Sequence, residues 1–212
     1  MNILAIGAHP DDIEYGCGGT LLEFKKNKKT NIYFFVATHG DYSGGADIRM
    51  KEQERSAELL GVKKLYWGSF MDTQLVAGRE LIDKIECVIG ECRPDIIFVN
   101  YPVDTHQDHR NLAESTVVAS RYSKRVLFYE DYTSKEYNPD IFVDIGKTLE
   151  GKVKLLRTHK SQVERTYPTG LDMVESVKAV ANFRGFQAKV KYAEGFSALR
   201  YLLNVQDIAK SK

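Results

Sequence analysis

Short apolar runs recur along the first part of this 212-residue chain at intervals of about thirty residues. They begin near Ile3, Asn31, Lys64, Asp95 and Arg125 and read ILAIG, IYFFVAT, LYWG, IIFVNY and VLFYE. Apolar strands that alternate with helical segments are typical of parallel β-α-β units with right-handed crossovers. The repeat predicts an α/β fold, a Rossmann-like, doubly wound and mostly parallel sheet in three α/β/α layers.

Helical patterns fill the gaps between these runs. The clearest stripe joins Leu81, Ile85 and Val88 at helical spacing and ends before Pro94. Further helices are expected near residues 21–26, 49–60 and 111–121. After Glu130 the pattern weakens: 141–145 reads as a strand, 148–158 and 171–184 as helices, and 188–201 as a mixed segment. We expect one domain, 1–212, with a core at 1–130 and a C-terminal extension at 131–212 that walls the pocket.

Two clusters of metal-binding residue types follow the first and fourth apolar runs, as Ala8-His9-Pro10-Asp11-Asp12 and His106-Gln107-Asp108-His109. In the common strand order 3-2-1-4-5, these two strands are neighbours at the point where the winding reverses. Open α/β sheets bind their ligands in the crevice outside the carboxyl ends of such strands. The two distant clusters are therefore predicted to face each other.

The spacing within each cluster favours a shared target, because side chains three residues apart lie on the same side of a helical turn. His9, Asp12 and His109 form a mixed nitrogen and oxygen set that suits Zn²⁺, with Fe²⁺ as a substitute. Three protein ligands leave a coordination position open, as in catalytic sites.

The remaining cluster residues suggest acid-base chemistry. Asp11 points away from the ligand beside it and is a candidate general base for a water whose pKa zinc lowers to about 7. A protonated His106 would stabilise an oxyanion, and Asp108 would either orient His106 or support a metal-ligating histidine. A single histidine is often a satisfied polar residue and an Asp-Asp pair is often a helix N-cap. The placement of both clusters at the ends of two strands that are predicted to be neighbours favours the functional interpretation.

The composition of the chain limits the classes of partner that it is expected to bind. The 30 basic and 29 acidic side chains nearly cancel, which argues against nucleic acid and charged membrane surfaces. Three cysteines form neither a disulfide framework nor a zinc pair, and the chain shows no secretory signal or membrane span, so we expect a cytoplasmic protein. The glycine-rich run 16–19 does not fit a nucleotide fingerprint and predicts close backbone packing. The oligomeric state, a homo-oligomer included, is left open.

The chain resembles the LmbE or PIG-L family of metal-dependent N-deacetylases, which act on N-acetylglucosamine conjugates. Ordered motifs over nearly the whole chain carry the resemblance: AHPDD with Glu14 and Gly18-Gly19, Thr38-x-Gly40, Arg49 before Leu60-Gly61, HQDH, His159-Lys160-Ser161-Gln162, and Tyr192-Ala193-Glu194-Gly195-Phe196. One departure is Gln107, where the family usually has proline, and this puts the loop geometry in question.

The resemblance implies a role for each cluster residue. His9, Asp12 and His109 would carry the metal, Asp11 would be the general base, and His106 with Asp108 would stabilise the oxyanion. Arg49 and Asp72 would bind the sugar, against the alternatives of an exposed helix charge and a turn residue. The roles of His159, Gln162 and Glu194 stay open.

The expected function is a zinc-dependent hydrolase that removes acetate from the N-acetyl group of an N-acetylglucosamine-type conjugate. Two alternatives remain: a metal-dependent phosphoesterase with a second metal about 4 Å away, and a noncatalytic sugar- or nucleotide-binding module. The sequence leaves the aglycone open among an inositol, a malate, a nucleotide diphosphate and an oligosaccharide.

Overall fold

The computed structural model describes residues 1–43, 45–165 and 170–204. These residues form one seven-stranded sheet with seven α-helices. The strands are β1 (Asn2–Gly7), β2 (Asn31–Thr38), β3 (Lys64–Phe70), β4 (Ile96–Asn100), β5 (Arg125–Tyr129), β6 (Ile141–Asp144) and β7 (Ala193–Tyr201). The helices are α1 (Asp12–Lys25), α2 (Ala46–Leu60), α3 (Arg79–Cys92), α4 (Gln107–Ala119), α5 (Leu149–Leu156), α6 (Lys160–Val163) and α7 (Met173–Ala188). A 3-10 turn covers Asp41–Ser43.

The sheet has the strand order β3-β2-β1-β4-β5-β7-β6. The first five strands pair in parallel, so the predicted order 3-2-1-4-5 and the doubly wound α/β fold are confirmed. β7 pairs antiparallel with both β5 and β6. The C-terminal part therefore extends the sheet past β5, where the sequence predicts only one strand and a mixed segment.

Both faces of the sheet are covered by helices. Leu4 and Ile6 of β1 pack in a core with α3 and α4, whereas Ile3 and Ala5 pack in a second core with α1 and α2. The predicted stripe on α3 is buried in the first core. Burial on both faces explains why the strands read as continuous apolar runs rather than as alternating patterns.

Three helices begin earlier than the apolar periodicity predicts, at Asp12, Ala46 and Gln107. The first turns of α1 and α4 carry buried polar side chains, including Asp12 and Asp108, so the apolar pattern starts only after them. α6 is an additional short helix. Among the described residues, no helix combines the length and apolar character that crossing a bilayer requires.

The glycines of α1 allow close packing, as predicted. A Cβ atom at Gly16 would overlap the ring of Tyr129, and one at Gly19 would lie 2.9 Å from Ile145 Cγ2. Tyr129 is fully buried, and its hydroxyl donates a hydrogen bond to the carbonyl of Ile6 at 2.8 Å. The ring has no room to move away without breaking this hydrogen bond.

We predict that Gly16→Ala lowers the free energy of unfolding by about 1–3 kcal/mol, because the added methyl overpacks a buried site. Gly90→Ala is the matched control, since Gly90 also lies inside a helix but has no atom within 4 Å of the added Cβ. The control should gain up to about 1 kcal/mol from helix propensity. Urea denaturation of both variants measures the difference, and equal stabilities would contradict the packing argument.

Candidate active site

The loops that follow β1 and β4 meet at the carboxyl edge of the sheet. The two strands pair directly, with Ile3 opposite Ile96 and Ala5 opposite Phe98. His9 Nδ1 lies 3.3 Å from His109 Nε2. The two histidine clusters therefore converge on one point.

Three donor atoms surround this point. Asp12 Oδ2 lies 3.6 Å from His9 Nδ1 and 3.4 Å from His109 Nε2, which closes a triangle with the 3.3 Å separation of the two nitrogens. A tetrahedral zinc ion with bonds of about 2.0–2.1 Å holds its ligand atoms about 3.3–3.4 Å apart. All three side chains are buried. The donor set fits a single divalent cation of this size.

The carboxylate of Asp12 is held by the loop and not by the helix it begins. Its Oδ2 accepts the backbone amides of Ala8 and His9, both at 2.9 Å, and the side-chain amide of Asn100 at 3.2 Å. Asp11 occupies the N-cap position of α1 but makes no capping hydrogen bond through its side chain. Both aspartates line the crevice, and the Asp11 side chain does not make the capping hydrogen bond that the N-cap alternative requires.

Each ligand-type histidine has its second ring nitrogen beside a carboxylate. His9 Nε2 lies 3.1 Å from Asp72 Oδ1 and 3.2 Å from Asp108 Oδ2. His109 Nδ1 lies 3.3 Å from Asp104 Oδ2. In metal sites, such carboxylates fix the tautomer and the ring orientation of the ligand. Asp108 thus supports His9 through its side chain, and only its backbone amide contacts His106.

The surrounding carboxylates favour positive charge at this point. Burial by itself lowers the pKa of His9, but hydrogen bonds to its aspartate neighbours raise that pKa well above its usual value. Burial also lowers the pKa of His109, but Asp12 and Asp104 outweigh this effect and raise that pKa to about 10. The same two histidines hold the pKa of Asp12 well below its usual range although burial raises it.

His106 lies at the rim of this group. Its ring stacks on His109 with centroids 4.8 Å apart, and its Nδ1 accepts the backbone amide of Asp108 at 3.2 Å. Burial and the neighbouring charges of His9 and His109 lower its pKa. Because Nδ1 is an acceptor, the neutral ring carries its proton on Nε2. Nε2 is thus the ring nitrogen of His106 that can donate a hydrogen bond.

Asp11 adopts a left-handed backbone conformation, with φ at 100°. Its Oδ1 lies 3.4 Å from Arg49 Nη2. Burial raises the pKa of Asp11 to about 6, against the lowering effect of the Arg49 charge. A carboxyl group with this pKa can exchange a proton near neutral pH.

The two predicted sugar-binding residues are buried. Arg49 is 4% exposed and donates to the carbonyls of Gly40 at 2.9 Å and Pro10 at 2.6 Å, so the exposed-charge alternative is wrong. Asp72 accepts the backbone amide of Tyr42 at 2.9 Å in addition to its contact with His9. Both side chains line the same cavity as His9 and Asp11.

Residues from the C-terminal part complete this cavity of about 220 Å³: Tyr132, Thr133, Gln162 and Arg165. Of the motif residues left open, Gln162 therefore lies at the cavity. His159 is fully buried 3.5 Å from Glu14, and Glu194 pairs with Lys152 at 2.5 Å.

Comparison with known proteins identifies the family of this chain. The family model described as PIG-L, GlcNAc-PI de-N-acetylase, matches residues 4–120. A diacetylchitobiose deacetylase of Thermococcus kodakarensis is 32% identical over an alignment that covers 91% of this chain and 81% of that protein. The chain belongs to the PIG-L family. The resemblance inferred from the motifs is thus confirmed.

Two solved structures share the PIG-L fold of this chain. A conserved protein of Thermus thermophilus has a TM-score of 0.85 at 26% identity and covers 96% of this chain and 97% of its own. The N,N′-diacetylchitobiose deacetylase of Pyrococcus horikoshii has a TM-score of 0.78 at 27% identity, with coverages of 98% and 88%. Both similarities extend beyond the residues that the family model matches.

Gln107 stands at the position where the resemblance implies a proline. It is the first residue of α4, the helix position at which proline is also well accommodated. Its Nε2 donates to the carbonyl of Thr73 at 3.1 Å. In this arrangement the ring of His106 stacks on that of His109.

Sequence reasoning missed Asp104 and Asp131. Asp104 precedes the second cluster in its own loop, and Asp131 follows β5, the strand beside β4. Burial raises the pKa of Asp131 well above its usual value, and the charge of Asp12 adds to this. Polar residues after each neighbouring strand are the signal that would have found both.

We predict that the purified PIG-L chain binds about one zinc ion per molecule, because three donors converge on a single point. Asp12→Ala should bind far less than one ion while remaining folded by circular dichroism. Asp83→Ala, on the exposed surface of α3, is the control and should bind as the unmodified chain does. Elemental analysis after dialysis measures the ratio. Two ions per chain, or full binding by Asp12→Ala, would contradict the assignment.

Proposed function

We propose that the chain is a zinc-dependent hydrolase that removes acetate from the N-acetyl group of an N-acetylglucosamine-type conjugate, with Fe²⁺ as an alternative metal. The observation that carries the proposal is the triangle of His9, Asp12 and His109 donor atoms in the same cavity as the Asp11 carboxylate. The relatives named as diacetylchitobiose deacetylases support this substrate class.

In this proposal His9, Asp12 and His109 hold the metal ion, which when bound polarises the amide carbonyl and lowers the pKa of a water molecule. Asp11 accepts the proton of the attacking water at a carboxylate oxygen. It then returns this proton to the nitrogen of the leaving amine as the carbon–nitrogen bond breaks. The products are acetate and the free amino sugar.

The residues around the reacting amide have supporting roles in the proposal. His106 donates a hydrogen bond from Nε2 to the oxygen on which negative charge develops. Asp108 holds the ring of His9. Arg49 and Asp72 bind sugar hydroxyls from the cavity wall that they share with Asp11.

We further propose that residues 1–212 act as one domain in which residues 1–130 carry the catalytic groups and residues 131–212 wall the substrate pocket. The support is that Tyr132, Thr133 and Gln162 line the cavity opposite His9 and Asp11. The small substrate would thus contact both parts of the chain.

The phosphoesterase alternative requires a second metal. His9, Asp72 and Asp108 bring ligand atoms within 4.8 Å of one another and are its best candidates. Both carboxylates face Nε2 of His9, whose Nδ1 belongs to the first donor triangle, so a second ion here would need one imidazole to bind metal through both ring nitrogens. This geometry favours an orienting role for the two aspartates and therefore favours the one-metal hydrolase.

We predict that the zinc-loaded protein releases acetate from at least one member of a panel of N-acetylglucosamine, N,N′-diacetylchitobiose and nucleotide-diphosphate conjugates. Asp11→Asn should lower kcat by about 100-fold or more, since it removes the proton acceptor, while zinc remains bound.

The matched control is Asp47→Asn on the exposed first turn of α2, which should turn over normally. Acetate assays and metal analysis measure both variants. Near-normal turnover by Asp11→Asn would refute the role of this residue. Absence of acetate from every conjugate would refute the proposed activity.

A further inference from the structure

We infer that Gln53 is a positioning residue that fixes the backbone of Asp11 through the Pro10–Asp11 peptide group. The inference deepens the proposed function, since Asp11 has its catalytic role only there. Asp11 has a φ of 100°, a backbone conformation that residues other than glycine rarely adopt. Contacts with the rest of the protein must therefore stabilise this conformation.

Both ends of the Pro10–Asp11 peptide group are held by one face of α2. Arg49 Nη2 donates to the carbonyl of Pro10 at 2.6 Å, and the amide of Asp11 donates to Gln53 Oε1 at 3.3 Å. Arg49 and Gln53 are four residues apart and therefore lie on the same side of the helix. Rotation of this peptide group would break both hydrogen bonds and turn the Asp11 carboxylate.

The side-chain amide of Gln53 can be oriented in only one way. Its Nε2 donates to Glu14 Oε1 at 2.8 Å, and a carboxylate only accepts, whereas the amide of Asp11 only donates. The oxygen of Gln53 must therefore face Asp11. Glu14 and Asp11 both belong to the start of α1, so Gln53 joins two points of the same helix turn across the gap to α2.

Glu14 is itself firmly held behind Gln53. Ser56 Oγ donates to its Oε1 at 2.6 Å, and His159 Nε2 lies 3.5 Å from its Oε2. Glu14, Gln53, Ser56 and His159 are all 0% exposed. Because no solvent reaches Gln53, loss of its side-chain amide would leave the Asp11 amide without this acceptor and Glu14 with one hydrogen-bond donor fewer.

The test compares the zinc-loaded Gln53→Met variant with the unmodified zinc-loaded protein. Methionine has a similar volume but lacks both the oxygen that accepts from Asp11 and the nitrogen that donates to Glu14. We expect kcat to fall about tenfold or more, with KM and bound zinc changed by less than about threefold, because only the placement of Asp11 in the transition state is lost. Hydrogen exchange of the Asp11 amide, followed by NMR, should accelerate about tenfold or more.

Ser56→Ala is the matched control, because Ser56 is equally buried and also donates to Glu14 but does not touch Asp11. It should keep kcat and Asp11 exchange within about threefold of the unmodified protein. The double variant Glu14→Gln/Gln53→Glu exchanges the carboxylate and the amide. It keeps an acceptor towards Asp11 and a hydrogen bond between the two side chains, and should recover most of the kcat that Gln53→Met loses.

Unchanged kcat and unchanged Asp11 exchange in Gln53→Met would overturn the inference, as would an equal kcat loss in Ser56→Ala. If Gln53→Met does not fold, the double variant tests the inference instead. A folded double variant whose kcat is as low as that expected for Gln53→Met overturns the inference. If the unmodified protein releases no acetate from any conjugate, the proposed function fails. The exchange rate of the Asp11 amide then still decides whether Gln53 holds this peptide group.

Discussion

The parallel pairing of β1 with β4 is the contact on which the rest of the site depends. It places the ends of two strands from distant parts of the sequence side by side, with Ala5 opposite Phe98. Both strands are buried on both faces, so their ends are rigid supports for the loops that follow them. His9 and His109 meet because these two short loops leave the same edge of the sheet.

The second constraint is the burial of acidic groups. A carboxylate removed from water is strongly destabilising unless hydrogen bonds replace its hydration. Backbone amides provide those hydrogen bonds here: Ala8 and His9 to Asp12, Thr73 and Leu75 to Asp108, Tyr42 to Asp72, and His106 to Asp104. Each loop thus adopts the conformation that its aspartate requires. The donor atoms are preorganised by folding itself, and a cation would find its ligands already in place.

The sequence predicts the strands, because the apolar runs repeat, and the candidate metal ligands, because they cluster in two short segments. Even spacing of the apolar runs predicts parallel β-α-β units, and the common strand order of such sheets brings His9 to His109. Gln53 could not be recognised, because the polar face that it shares with Arg49 on α2 reads as a solvent-exposed face in the sequence. Both side chains are buried, since that face packs against the loop after β1 and not against water. The antiparallel β7 could not be recognised either, because it pairs with β5 and β6 outside the parallel repeat that the spacing predicts.

The C-terminal part also supports the helix that follows β1. Glu194 of β7 accepts the backbone amides of Gly19 at 2.9 Å and Thr20 at 2.6 Å, and its charge is paired with the buried Lys152 of α5. Thr148 donates to the carbonyl of Gly19 at 3.0 Å. These contacts hold the middle of α1, while Gln53 holds its beginning. Asp12, the proposed metal ligand, is the first residue of α1. A motif near residue 194 therefore fixes the helix that begins with this carboxylate, although Glu194 itself pairs with Lys152 and not with the histidines.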